Sequence, residues 1–210
     1  MKSRSRFPSR PTGVERSRLA ARLLLASASC WIAISDATAA PEVFRIDPAA
    51  TQAEFSVAYF WVTKLKGKFG RTQGTIVLDA DARAGSIDFA VDAKSVDTGW
   101  PVRDNFIRGE SMVDAARHPM VRFRSTELTF DRGRLAGAVG QLTLHEVTRP
   151  VAVKVARLEC GPLPGSGLPG CGVAVVSSIK RSDFGMSFGL PFVGDDIDLS
   201  FHLTAVRVEP

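Results

Sequence analysis

Histidine is scarce in this chain: 210 residues carry three of them, His118, His145 and His202. They lie far apart and lack the close spacing of a metal-ligand motif, and no Ser–His or Cys–His arrangement stands out around them. Other catalytic signatures are missing too. There is no G-x-S-x-G elbow, no P-loop, no H-E-x-x-H pair and no G-x-G-x-x-G run opening a helix. No residue is therefore assigned a catalytic or metal-binding role, and a non-enzyme without a cofactor is expected. The one stretch that invites a chemical reading is "DAARHPMVRFRS", residues 114–125, where His118 has Arg117, Arg122 and Arg124 nearby. It reads either as an anionic site or as the exit from a short helix into a strand.

Net charge is also missing once the N-terminus is set aside. Residues 1–39 hold seven of the 27 basic residues and two of the 22 acidic ones, so the remainder carries 20 of each. The basic sequence pI belongs to that first segment, and a nucleic-acid partner, which needs a basic surface, is not expected. Basic residues up to Arg22, the apolar run "LLLASASCWIAI" and the A-x-A site Ala37-Thr38-Ala39 together read as a cleavable signal peptide. The apolar run is too short to span a bilayer, and no Arg-Arg pair precedes it. Residues 40–210 then form a single exported, periplasmic domain.

Three cysteines are present, and Cys30 falls in the leader. It could serve as a lipoprotein anchor, but the preceding "ASAS" lacks the usual leucine three positions upstream. Cys160 and Cys171 remain, and in an exported chain the first reading is a disulfide. Closing such a loop is worth about 3 kcal/mol. The intervening "GPLPGSGLPG" is expected to form neither helix nor ladder. The alternative, a redox-active pair, would prefer C-x-x-C spacing.

What the chain does contain is period-two alternation. Ile87, Phe89, Val91 and Ala93 alternate with polar or small residues, as do Val151, Val153 and Val155. Ile197, Leu199, Phe201, Leu203 and Ala205 do the same, with His202 on the polar side. Half-buried antiparallel strands with one wet face follow. Further strands are expected over 52–62, 74–79, 120–130, 134–144 and 172–180, giving about eight at sandwich or barrel spacing. Only residues 97–119 break the rhythm; Pro101 suits a first helical turn and Pro119 a stop, so one or two short helices interrupted near Gly109 are expected. A closed eight-stranded sheet has no edges, and its interior is either filled by side chains or holds one slim ligand. The apolar inward set makes any such ligand mostly hydrocarbon.

Five segments, taken in order, resemble the YceI-like family: "FRIDPAATQAEFSVAYF", "KGKFGRTQGTIVLD", "SVDTGWPVRDNFIRGESMVDAARHPMVRFRST", "GQLTLHEVTRPVAV" and "IKRSDFGMSFGLPFVGDDIDLSFHLTA". The resemblance runs over residues 43–208. It implies an all-β, antiparallel, eight-stranded lipocalin-like barrel in an exported protein. It also implies a long-chain isoprenoid, quinone-like or prenyl-phosphate-like, or a similar amphipathic lipid held along the barrel axis. The Cys160/Cys171 pair resembles a two-cysteine loop of some members. Two departures stand out: Tyr59 where the family often has His, and Glu146 where it often has Gly, a residue that would supply positive φ.

If the alternation is read correctly, Phe55, Val57, Tyr59, Phe89, Val91, Phe123, Leu199 and Phe201 face inward as ligand-binding candidates. Phe106, Met112, Phe184 and Met186 would cover or line one end. Arg103, Asp104, Arg108 and Arg181 are candidates for a polar head group; each could equally be a solvated surface charge or a structural ion pair. Three functions stay open on the sequence. They are a carrier or sequestering protein for a long-chain amphiphile, a cryptic enzyme using His118, and a structural envelope protein with a filled barrel. A homodimer is left open as well.

Overall fold

The computed structural model describes residues 40–79 and 81–208. The leader read at residues 1–39, Cys30 included, lies outside the described residues. Eleven strands follow one another: β1 Glu42–Ile46, β2 Gln52–Tyr59, β3 Thr63–Phe69, β4 Thr72–Asp79, β5 Ala84–Asp92, β6 Val96–Asp97, β7 Met120–Asp131, β8 Arg134–Leu144, β9 Val147–Pro162, β10 Pro169–Lys180 and β11 Val193–Val208. One helix, α1 Pro101–Arg108, lies between β6 and β7.

The registers reduce these eleven segments to eight staves. β1 and β2 both run antiparallel to β11, pairing with its last and its earlier residues, so they form one stave bent at residues 47–51. β4 pairs with β1 and β3 pairs with β2 in the same way, so β3 and β4 form a second bent stave. From there the order is β4-β5-β7-β8-β9-β10-β11, every pairing antiparallel, and β11 pairs back with β1 to close the barrel. Each stave is paired with its neighbours in sequence, and no stave crosses over another. The all-β, eight-stranded antiparallel barrel expected from the sequence is the architecture found.

Such a meander sorts the connections by end. The β2–β3 hairpin, the excursion between β5 and β7 that contains α1, the β8–β9 turn and the β10–β11 loop share one end, the mouth. The β4–β5, β7–β8 and β9–β10 connections share the other end with the start of β1 and the finish of β11.

Alternation does the work inside. On β7, Phe123 is buried while Arg122 and Arg124 point out, where both Nε atoms reach Asp88, at 2.9 Å and 3.2 Å. The arginines of "DAARHPMVRFRS" thus splay away from the interior, and these exposed pairs contribute about 0–1 kcal/mol. Two buried clusters form in the barrel interior. Phe44, Ile46, Ile76, Val173 and Ala205 pack at the closed end. Val113, Phe123, Leu142, Leu144, Ile179 and Phe184 pack toward the mouth.

α1 begins with Pro101 in its first turn and stops at Gly109, whose N–H bonds to the Phe106 carbonyl. Residues 109–117 then form turns rather than a second helix. Before α1, β6 pairs antiparallel with Lys68 and Phe69 at the end of β3.

Cys160 and Cys171 sit directly opposite each other in the β9–β10 ladder and form a disulfide, Cα atoms 4.1 Å apart. The expectation that "GPLPGSGLPG" forms no ladder is corrected. Pairing continues past the disulfide through Gly161↔Gly170 to Pro162↔Pro169, leaving residues 163–168 as the turn. Prolines fit there because the end of a ladder can spare the donor they lack.

Gly140 on β8 lies under the Phe123 ring; a Cβ there would stand 2.6 Å from Phe123 Cζ and collide with the Arg124 carbonyl. We expect Gly140→Ala to destabilise the barrel by about 1–3 kcal/mol, read as a lowered Tm in thermal melts followed by circular dichroism.

Candidate functional site

The barrel is not packed solid. Between the two clusters lies a cavity of about 350 Å³, toward the low end of the roughly 300–1,000 Å³ of small-molecule sites. Its wall is built from the inward positions of the staves: Phe55 and Val57, Phe89 and Val91, Val153 and Val155, Leu199 and Phe201 among them. Phe89 and Phe201 meet edge to face, centroids 5.4 Å apart. Several of these side chains are only half-buried although they point into a closed sheet, because what they face is empty volume. Glu54, Arg103 and Arg181 are the charged residues along the wall. The cavity reaches the surface at the mouth, where the lining residues Tyr59 and Phe106 are 40 % exposed and Phe188 is 60 % exposed.

Of the twelve apolar candidates, eleven line this cavity: Phe55, Val57, Tyr59, Phe89, Val91, Phe106, Met112, Phe123, Met186, Leu199 and Phe201. Phe184 does not. It is 1 % exposed and packs in the buried cluster toward the mouth. It sits in a 3-10 turn, Arg181–Phe184, where strand alternation has no say over direction.

The four head-group candidates divide. Arg103 lines the cavity; its guanidinium donates to the Thr98 hydroxyl and carbonyl, each at 2.8 Å, and lies over the Trp100 ring. Arg108 points elsewhere, donating to the Lys94 and Val96 carbonyls and to Asn105, so it ties α1 to the segment before it.

Asp104 is buried and accepts from the Thr98 N–H at 2.8 Å and the Thr98 hydroxyl at 2.5 Å. The Thr98 hydroxyl bond holds its carboxyl below the usual range against the opposing effect of burial; the Thr98 N–H and the nearby Arg108 and Arg103 add to the lowering. A depressed folded-state pKa stabilises the fold at pH values above the unfolded carboxyl's pKa of about 3.9, and that contribution fades as pH falls further. We therefore expect Asp104→Asn to melt at a lower temperature than the parent at pH 7. The gap should narrow below about pH 4; a gap that stays constant from pH 7 to pH 3 would contradict this.

Arg181 is 1 % exposed and has a different occupation from the one its charge suggests. Its Nε donates to the Gly194 carbonyl at 2.8 Å and one terminal nitrogen to the Met186 and Phe188 carbonyls at 2.7 and 2.8 Å. The other donates to the Val193 carbonyl at 2.9 Å. Burial lowers its pKa from the ordinary arginine value, and Asp195 partly offsets this. Most of its five donors are spent on backbone, so it shapes the mouth loop instead of offering itself to a head group.

Sequence reasoning missed several wall residues. Leu65 and Phe69 of β3 line the cavity; "TKLKGKF" does alternate, but three lysines and a glycine mask it. Phe188 lies in a loop without period, and only the Arg181 bonds place it at the opening. His118 is not among the lining residues. Its ring lies 5.2 Å from that of His145. The turn departure is also resolved: the left-handed residue is His145, φ 59°, not Glu146. Among the described residues no group of three or more His, Cys, Asp or Glu side chains is placed to hold a metal ion.

Comparison with known proteins agrees with the architecture. The model of the YceI-like domain matches residues 44–205. A UPF0312 protein of Vibrio cholerae is 27% identical over 172 residues, 81% of this chain and 89% of the relative. Another, from Pseudomonas paraeruginosa, is 28% identical over 167 residues, 78% of this chain and 86% of the relative. Among solved structures, Burkholderia cenocepacia BcnA superposes with a TM-score of 0.65 at 24% identity, over 77% of this chain and 99% of that one. A polyisoprenoid binding domain from Saccharophagus degradans, implicated in plant cell wall breakdown, gives 0.58 at 17% identity, over 79% and 98%.

Proposed function

The chain belongs to the YceI-like family, and from that premise and the shape of its interior we propose that it holds a long-chain isoprenoid or similar amphipathic lipid in the barrel. In this role it acts as an exported, periplasmic carrier or sequestering protein. The observation that carries the reading is an apolar cavity, open at one end, in a sheet that could have been packed solid. An aliphatic chain fits such a wall because each buried methylene gains about 0.8 kcal/mol. A hydrophilic ligand would lose its hydrogen bonds there. The polyisoprenoid-binding neighbour supports the same class of ligand. Arg103, at the mouth and free of a carboxylate partner within bridging distance among the described residues, is the group best placed to meet a polar end. The basic-then-apolar leader with its A-x-A site supports export.

The test is to fill the cavity without touching the outside. Val153 is half-buried and lines the wall, so Val153→Trp places an indole in the empty volume. A fluorescent probe with a polyprenyl or fatty tail should bind the parent and lose affinity about tenfold or more in the variant, while Tm holds or rises. Equal affinities in the two proteins would defeat the reading.

A further inference from the structure

The mouth carries more aromatic surface than the cavity requires. Phe60, Trp61 and Val62, at the tip of the β2–β3 hairpin, are 46 %, 70 % and 87 % exposed. Facing them from the β10–β11 loop are Phe188 and Phe192, 60 % and 53 % exposed. The pieces form one surface. The Phe60 N–H donates to the Phe192 carbonyl at 2.7 Å, and the Phe192 ring lies 5.6 Å from Phe60 and 5.9 Å from Trp61. Phe106 of α1 meets Phe188 at 4.8 Å. Contiguous apolar patches of this kind mark interaction sites.

This hairpin also accepts conformational strain. Phe60 and Trp61 have φ of 48° and 60°, the left-handed region that tight hairpins normally fill with Asn-Gly. Bulky aromatic residues held there and turned to solvent serve neither the turn nor the core.

Taken with the lipid-carrying reading, on which this rests for its purpose, these observations lead further. We propose that the mouth docks on the surface of a phospholipid bilayer, with Trp61, Phe188 and Phe192 entering the interfacial region so that the cavity opens into the lipid. The composition selects this occupant. Residues 58–63, "AYFWVT", and 187–194, "SFGLPFVG", contain no ionisable side chain except Tyr59, so these two tips offer no charge to a polyanion or a charged protein face. Aromatic side chains with one polar edge favour the membrane interface. Tyr59, Phe106 and Phe188 belong to both the rim and the cavity wall, so a hydrocarbon chain could pass from bilayer to barrel without crossing water. A second copy seated mouth to mouth would instead seal both openings. The start of β1, the end of β11 and the disulfide lie at the opposite end and leave the mouth clear.

Sedimentation with phosphatidylcholine–phosphatidylethanolamine vesicles tests the proposal on the folded protein. It should pellet with vesicles at physiological salt, and vesicles with brominated acyl chains should quench its tryptophan emission. The double substitution Trp61→Ser, Phe192→Ser alters exposed side chains and should leave Tm unchanged. It should reduce vesicle partitioning about tenfold or more and keep the organic-extractable lipid of the parent. Parent protein that stays in the supernatant, or a variant that pellets equally well, overturns the docking. So does a dimer in sedimentation equilibrium that the same substitutions dissolve without any vesicle binding. Vesicle binding by protein that carries no extractable lipid would uphold the docking and sink the cargo reading instead. Lipid-bearing protein that ignores vesicles would do the reverse.

Discussion

Replacing Arg181 with leucine should lower stability by about 4 kcal/mol, a fall in Tm of roughly 10 °C. The size follows from what the guanidinium holds. Four carbonyls, of Met186, Phe188, Val193 and Gly194, accept from one buried side chain. Leucine offers none of them a donor, and a buried acceptor left without a partner costs about 1–3 kcal/mol. The full sum will not be realised, because the mouth loop can move outward and recover water. That movement has a functional cost, since Met186, Phe188 and Val193 line the cavity. The variant should therefore lose probe binding as well as stability. Arg181→Lys should fall between, because an ammonium has three donors at a point and cannot span the carbonyls that a planar guanidinium spans. A Tm within about 2 °C of the parent for Arg181→Leu would contradict the assignment.

Removing the disulfide should act on stability alone. Cys160→Ala with Cys171→Ala is expected to cost about 2–4 kcal/mol, and reduction of the parent should reproduce the loss. The crosslink joins facing residues at the closed end, and Cys171 packs with Phe44, Ile46 and Val173 there. The mouth and Arg103 lie at the other end. Below its lowered Tm, the double variant should bind the tailed probe as the parent does. If affinity fell together with stability, the separation of a structural end from a binding end would be wrong.

That separation was only partly legible in the sequence. β8 spans the residues its alternation marks, Arg134–Leu144, because an antiparallel strand with one wet face writes its period into the chain. The eight strand candidates, Phe55, Val57, Tyr59, Phe89, Val91, Phe123, Leu199 and Phe201, lie on the wall by the same logic. Alternation does not encode the loops. Phe184, a candidate to cover or line one end, sits in a 3-10 turn, where packing and not strand period sets its direction. The charge of Arg181 leaves head-group contact, surface solvation and a structural ion pair open, and only the folded loop brings four carbonyls around it. The bends at residues 47–51 and 70–71, which split two staves into four strands, leave too little local signal to read: β1 is five residues long, and β3 is crowded with lysine. Lysines on that strand also suit its partly unpaired edge, where charge discourages pairing with another chain.

The central claim is that the barrel holds a hydrocarbon-tailed molecule. Its most direct test is to purify the protein and its Val153→Trp variant from the native host, extract both into organic solvent and record mass spectra. One lipid class, isoprenoid or similarly long-chained, is expected in near-stoichiometric amount from the parent and strongly depleted in the variant. Reproducibly lipid-free parent protein, or equal lipid from both, would contradict it.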